Sequence, residues 1–172
     1  MSKELIEQIE QAFASGEYPG DNDLTSSSYG EEPDALKRAF AKKDNWQTLD
    51  FTFLDQAPEG WSSALSFFSD RAFVFYLPAY LIADIRGDLV HVSPESSLCY
   101  GVTPWDESRK IAKIWGGGTI GERMRQRFAL FTPEQVAAIV AYLWWKLEAL
   151  ASEDLDSITL ALENYWLERD AS

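Results

Sequence analysis

Two aspartates in an early turn are the first residues whose types and spacing could do chemistry. Asp21 and Asp23 lie two residues apart in YPGDND, which covers residues 18–23. Carboxylate oxygens suit a divalent cation such as Mg²⁺ or Ca²⁺. The segment does not complete an EF-hand loop, because no Gly follows Asp23 three residues on and no Glu stands at the closing position. Asp and Asn also form turns with their own backbone, which is the interpretation we favour.

A group of basic residues surrounds a glycine-rich segment. This basic island comprises Arg109, Lys110, Lys113, Arg123, Arg125 and Arg127. Glycine N–H groups beside arginines can hold a phosphate, and GGGTIG at residues 116–121 matches G-x-G-x-x-G. A dinucleotide fingerprint must follow a strand, whereas this segment follows a predicted helix. We therefore interpret the glycine-rich segment as a helix stop and connector. The basic island either pairs with acids elsewhere or forms a solvated face.

Two tyrosines lie one helical turn apart in AFVFYLPAYLIADI, residues 72–85. Tyr76 and Tyr80 flank Pro78, in a stretch without charge from residue 72 to 83. A helix that is apolar on every face is buried, and this one is shorter than the ~20 residues that cross a bilayer. Ser69 supplies cap chemistry and Gly87 a stop. The pattern predicts a buried helix over about 69–86 that is kinked at its proline.

The single His and the single Cys exclude two classes of site. A disulfide framework is impossible, and a Cys/His zinc site lacks ligands. His91 and Cys99 match no nucleophile signature, so we interpret them as a surface His and a small buried Cys. The sequence predicts no cofactor and no metal, and it identifies no catalytic residue.

The charge balance bears on possible partners. There are 15 Lys and Arg against 28 Asp and Glu, which gives a net charge of −13. Such a charge disfavours binding to nucleic acid and to anionic membranes, and it suits a basic protein partner. Acidity also keeps cytosolic proteins soluble. The first residues, MSKELIEQIEQAF, lack the apolar run of a signal peptide, so the predicted location is the cytoplasm.

The elements that must position these residues are predicted to be helical. Thr103 with Asp106, and Thr132 with Gln135, have the spacing of capping boxes, so helices are expected over 103–115 and from residue 132 onward. A last helix is expected from Ser152 or Asp154 to about residue 167, whereas 88–103 is expected to be irregular. The sequence predicts a mainly α fold. It is a single domain over residues 1–172, with six or seven helices around the kinked one and at most one short strand or hairpin.

Three segments together resemble an uncharacterised bacterial protein family, a domain of unknown function. They are YPGD at residues 18–21, SDRAFVFYLPAYL at 69–81 and RFALFTPEQ at 127–135. The resemblance extends over about residues 5–150. Val74 and Phe75 depart from it, since the family has a more polar residue and a Tyr there. It implies no activity, and therefore no catalytic roles.

Two functional hypotheses follow from the sequence. The first is a non-enzymatic binding or accessory module, of the kind that inhibits a basic partner as immunity and antitoxin proteins do. Its exposed aromatics, drawn from seven Trp, would meet that partner. The alternative is an enzyme or binding protein for a small ligand or divalent metal, with a pocket beside the kinked helix. Its ligand-binding residues would be Asp21, Asp23, Tyr76 and Tyr80, with Arg123, Arg125 or Arg127.

Overall fold

The computed structural model describes residues 2–26, 30–56, 63–149 and 155–171, apart from the side chains of residues 63, 115 and 155. This described part is mainly α, as the sequence predicts, and it contains no β-strand beyond two isolated bridges. It has eleven α-helical segments, more than the six or seven expected, because several span only one or two turns. None of the described helices has both the length and the apolar character that a membrane crossing requires.

The chain divides into two compact units, Met1–Pro94 and Glu95–Ser172, which we call the first and the second unit. The expectation of a single domain over residues 1–172 stays a prediction. The predicted cap residues Ser152 and Asp154 lie outside the described residues, as does Trp61.

The first unit is built around one buried helix. Its α-helices are α1 (Ser2–Ala12), α2 (Glu31–Phe40), α3 (Phe51–Gln56), α4 (Ser63–Phe67) and α5 (Asp70–Arg86). Two 3₁₀ turns, Asp21–Asp23 and Trp46–Thr48, lie between them. Helix α5 packs against α1, α3 and the second of these turns. Twelve of its 17 residues are buried, which confirms the prediction of a helix that is apolar on every face.

The ends of α5 follow the predicted signals. The Ser69 hydroxyl accepts the N–H of Ala72 at 3.0 Å, and Gly87 closes the helix in the left-handed conformation with φ 79°. Pro78 lies inside the helix without ending it. Proline has no N–H to donate to the Val74 carbonyl, which is why a kink is expected at this point. The kink itself stays a prediction.

Aromatic rings fill the core of the first unit. The ring of Phe40 lies 4.9 Å from those of Phe68 and Tyr76, and the latter two stack at 5.1 Å. Such pairs add to the stabilisation that comes from buried apolar area. Helix α2 is thereby joined to α5, which fixes the loop after α2 beside the middle of α5.

The described residues of the second unit form six α-helices, of which α6 begins at the last residue of the first unit. They are α6 (Pro94–Cys99), α7 (Pro104–Glu107), α8 (Ile120–Phe128), α9 (Pro133–Ala149), α10 (Leu155–Ala161) and α11 (Leu167–Asp170). A π-helical turn, Leu162–Trp166, joins the last two. The Trp166 indole N–H donates to the Leu98 carbonyl at 3.0 Å, and its ring lies 4.8 Å from that of Phe128.

The helix predicted over 103–115 is wrong beyond Glu107, where α7 ends. The chain instead turns back on itself: the N–H of Ile111 donates to the Gly118 carbonyl, and that of Ile120 to the Arg109 carbonyl, both at 2.9 Å. The predicted capping box is also absent. The Thr103 hydroxyl donates to the Asp106 carboxylate at 3.2 Å and caps no backbone N–H. Residues 88–103 are not wholly irregular, since they contain α6.

Candidate functional site

Asp21 anchors the loop that follows α2. Gly20, at φ 89°, turns the chain so that Asp21 begins a 3₁₀ turn. Its Oδ1 accepts the Tyr18 hydroxyl and, at 2.8 Å, the backbone N–H of Lys42. These two hydrogen bonds, that from Tyr18 foremost, lower the pKa of the Asp21 carboxyl. Lys42 has φ 61°, an unusual value for a residue with a side chain, so the carboxylate holds a strained backbone conformation.

Tyr76 reaches the same loop from α5. Its hydroxyl donates to the Lys43 carbonyl at 2.8 Å. Burial raises the pKa of Tyr76, and burial followed by the hydrogen bond to Asp21 raises that of Tyr18 to about 12. Both hydroxyls therefore stay protonated at neutral pH and act as donors. The structure thus brings Asp21 and Tyr76 together at one loop, although they are 55 positions apart in sequence.

Asp23 and Tyr80 have other surroundings within the first unit. The Asp23 carboxylate lies 3.3 Å from the Arg71 guanidinium, and its carbonyl accepts the Ser69 hydroxyl at 2.6 Å. Asp23 therefore secures the beginning of α5. Tyr80 is completely buried one turn beyond Tyr76, and its hydroxyl has no hydrogen-bond partner among the described residues.

A cleft opens beside the loop that Asp21 and Tyr76 hold. Its volume is about 340 Å³, which lies within the usual range for small-molecule pockets. The lining residues are Lys42, Lys43, Asp44, Asn45, Thr48, Leu49, Asp50 and Phe53. The Lys43 ammonium lies 4.6 Å from the centre of the Phe53 ring, a cation–π contact at the wall. We call this the α2–α3 cleft.

The three arginines of the predicted site belong to α8 in the second unit and have different surroundings. Arg123 is exposed and Arg127 is buried. Arg125 forms an ion pair with Glu107 at 2.8 Å, and its guanidinium lies 4.9 Å from the Tyr165 ring. The helix therefore does not gather the three guanidinium groups into one anion site.

The glycine-rich segment forms the tip of a hairpin and the start of α8. Gly116, Gly117 and Gly118 all have positive φ. Thr119 and Glu122 then form a full capping box, in which the Glu122 carboxylate accepts the Thr119 N–H at 2.8 Å. Since a carboxylate of the chain itself occupies the beginning of α8, this geometry gives no support to phosphate binding there.

The sequence gives no local signal for the pair formed by the buried Asp55 and the exposed His91. The Asp55 carboxylate is buried and lies 2.8 Å from Nδ1 of His91, whose side chain is 46% exposed. The prediction of a surface His is confirmed, but its partner stands 36 positions earlier. Cys99 is buried, as predicted, and burial raises its pKa to about 12, so its thiol stays protonated at neutral pH.

The two candidate carboxylates already have hydrogen-bond or ion-pair partners within the first unit. The carboxylates of Asp21 and Asp23 are engaged by a hydroxyl, a backbone N–H and a guanidinium. Within the described ranges, no three His, Cys, Asp or Glu side chains gather as metal ligands.

A comparison with protein families gives one finding about identity. The model of DUF6714, a family of unknown function, matches residues 1–170. Comparisons with curated proteins and with solved structures give no match.

Proposed function

The chain belongs to DUF6714, and because that family has no established function, we propose from the distribution of charge that it is a non-enzymatic binding module for a basic protein. The first unit has seven Lys and Arg against 16 Asp and Glu, whereas the second has eight against 12. The excess of acidic over basic residues is therefore nine in the first unit and four in the second, and this difference is the observation that carries the proposal.

The acids of α1 and α2 lie on the solvent side of these helices. Glu31, Glu32 and Asp34 are exposed in the first turn of α2, while its apolar residues Leu36 and Phe40 are buried. On α1, Glu4 and Glu7 are likewise exposed. The packing of both helices therefore leaves these acidic side chains at the surface.

An acidic surface of this kind acts by electrostatic complementarity. It speeds the encounter with a basic protein and disfavours like-charged partners, including nucleic acid. Immunity and antitoxin proteins that inhibit a basic partner use the same physics, and we propose this role for the chain. A partner of that kind would be met in the cytoplasm.

Recovery of the partner by charge variants tests the proposal. The tagged full chain is used to capture proteins from its native host at low salt, and the bound proteins are identified by mass spectrometry. One stoichiometric basic protein is expected with the native chain. Simultaneous Glu31→Lys, Glu32→Lys and Asp34→Lys substitutions should abolish its recovery.

A matched variant controls for net charge. Glu148, Glu163 and Asp170 are exposed acids of the second unit, and changing them to Lys alters the net charge equally. This control should still recover the partner. A neutral version, Glu31→Gln, Glu32→Gln and Asp34→Asn, should weaken recovery without placing cations at a helix N-terminus. Equal recovery by the α2 variants, or an empty eluate from the native chain, would contradict the proposal.

The α2–α3 cleft favours a second candidate, a small-ligand or divalent-metal site beside α5. Tyr76 of α5 donates to Lys43, which lines this cleft, and Lys42 and Lys43 could meet a phosphate. Differential scanning fluorimetry of the full chain with Mg²⁺, Ca²⁺, inorganic phosphate and phosphorylated nucleotides tests this idea. A saturable stabilisation by phosphate or a nucleotide that Lys42→Ala and Lys43→Ala remove, or one by Mg²⁺ or Ca²⁺ that Asp44→Asn and Asp50→Asn remove, would support it. No shift with any of these ligands would exclude it.

A further inference from the structure

A smaller cleft opens in the second unit between α6, α7 and α10. Its volume is about 160 Å³. The described residues that line it are Glu95, Ser96, Cys99, Tyr100, Thr103, Trp105, Asp106, Ser157 and Ile158. We call it the α6–α7 cleft. This volume is below the ~300–1,000 Å³ of pockets for drug-sized ligands, so it suits one side chain better than a whole metabolite.

Two exposed aromatic residues belong to this lining. Trp105 is 55% exposed and Tyr100 is 45% exposed. Large aromatic side chains more often bury such area in a monomer, as Trp166 does in the same unit. The faces of Trp and Tyr attract ammonium and guanidinium groups, with Trp the stronger of the two.

Carboxylates complete the lining, and their cationic partners lie outside it. Glu95 is only 9% exposed, and its Oε2 lies 3.6 Å from the Lys146 ammonium and 3.4 Å from the Tyr142 hydroxyl. Asp106 Oδ1 accepts from the Arg109 guanidinium at 3.0 Å.

The charge of the cleft follows from this arrangement. None of the described lining residues is Lys, Arg or His. The surface that an incoming group meets therefore carries aromatic faces and the oxygens of two carboxylates, each of which is paired with a cation outside the lining. Carboxylate oxygens accept more than one hydrogen bond each, so both acids can still receive a donor from a bound cation.

We propose that the α6–α7 cleft takes the side chain of one Lys or Arg of the basic partner. The inference rests on the proposed function and names the group that would anchor that partner. The cation lies against Trp105 and Tyr100 and donates to Asp106 or Glu95. Interfaces commonly concentrate their binding energy in one such aromatic or charged anchor.

The probe is a short Arg-rich peptide. Its control is a matched peptide that carries neutral citrulline in place of Arg. Calorimetric titration of the full chain should show saturable binding of the first peptide and none of the second. Trp105→Ala should weaken binding by about tenfold or more, since both the cation–π contact and the cleft wall are lost. Asp106→Asn should weaken it as well.

Trp144→Ala is the matched control, because Trp144 is 48% exposed on α9 and is not a lining residue of the cleft. It should bind the peptide like the native chain. Equal affinities of the Trp105→Ala and Trp144→Ala variants would overturn the inference, as would failure of the native chain to bind the Arg-rich peptide. After either of these two outcomes, the proposed function would still stand if the chain recovers a basic partner and this recovery depends on the acids of α2.

Discussion

A single buried carboxylate, that of Asp55, holds the connection before α6. Its Oδ1 accepts the backbone N–H groups of Val90 at 2.9 Å and His91 at 2.8 Å. Burial raises the pKa of Asp55, but the hydrogen bonds from His91 and Val90 together bring it below its ordinary value. A carboxyl whose pKa is lower in the folded state adds stability above the unfolded-state value of about 4. That stability is lost as the pH falls through the folded-state pKa.

We expect Asp55→Asn to lower the free energy of unfolding at about pH 7 by roughly 1–3 kcal/mol, because a charged acceptor of buried hydrogen bonds is lost. The variant should also lose less stability than the native chain between about pH 6 and about pH 3. Urea unfolding of the full chain at these pH values measures both effects. Asp88→Asn, in the exposed part of the same connection, is the control and should change little. Equal unfolding curves for Asp55→Asn and the native chain would contradict this role.

At the scale of residues, the type of a side chain predicts whether it is buried better than it predicts which residues it contacts. The sequence correctly gives a surface His and a buried Cys, because each follows from the polarity of the side chain. It cannot give the Asp55–His91 pair or the contact of Tyr76 with the loop at Lys43, since these depend on the path of the chain over more than 30 residues.

The approach of α8 to α7 depends on a glycine. A Cβ at Gly121 would lie 2.6 Å from Cγ and 2.8 Å from the carbonyl oxygen of Glu107, closer than real contacts allow. We expect Gly121→Ala to destabilise the chain by about 1–3 kcal/mol, because backbone must shift to admit the methyl group. Thermal unfolding followed by circular dichroism measures this effect. Gln126→Ala, at an exposed position of α8, should change stability little, and equal effects of the two substitutions would argue against a tight α7–α8 contact.

At the scale of elements, capping residues predict the ends of helices well where no other hydrogen bonds compete with those of the helix. The capping box of Thr132 and Gln135 is confirmed, with hydrogen bonds of 3.1 and 3.3 Å, and so are both ends of α5. The helix expected over 103–115 fails because hairpin hydrogen bonds to residues 118 and 120 replace its own. The box of Thr119 and Glu122 has the right spacing in the sequence, and it marks the helix that the prediction missed.

At the scale of the whole molecule, the mainly α class follows from the sequence, but the division into two units does not. Helical periodicity is a local property, whereas the boundary near residue 94 depends on which helices pack together. For the same reason the sequence could not show which of the candidate site residues share one location, and the site itself stays a prediction. Asp21 and Tyr76 meet at one loop, whereas Arg123, Arg125 and Arg127 lie on α8 in different surroundings.

The net charge of −13 should make stability depend on salt. Self-repulsion among like charges opposes folding, and added NaCl screens it. We expect the melting temperature at neutral pH to rise by roughly 2–4 °C between low and about 0.3 M salt, equivalent to about 1 kcal/mol. The rise should be smaller in the Glu31→Lys, Glu32→Lys, Asp34→Lys variant, whose net charge is smaller. A melting temperature that falls with salt would show that ion pairs outweigh repulsion.

Release of the captured partner by salt tests the central claim most directly. The tagged full chain captures proteins from its native host at about 50 mM NaCl and is then washed stepwise to about 500 mM NaCl. Mass spectrometry identifies the proteins released in each fraction. The acidic-module account predicts one stoichiometric basic protein that leaves as salt rises. A partner that stays bound at the highest salt, or one that is itself acidic, would contradict it.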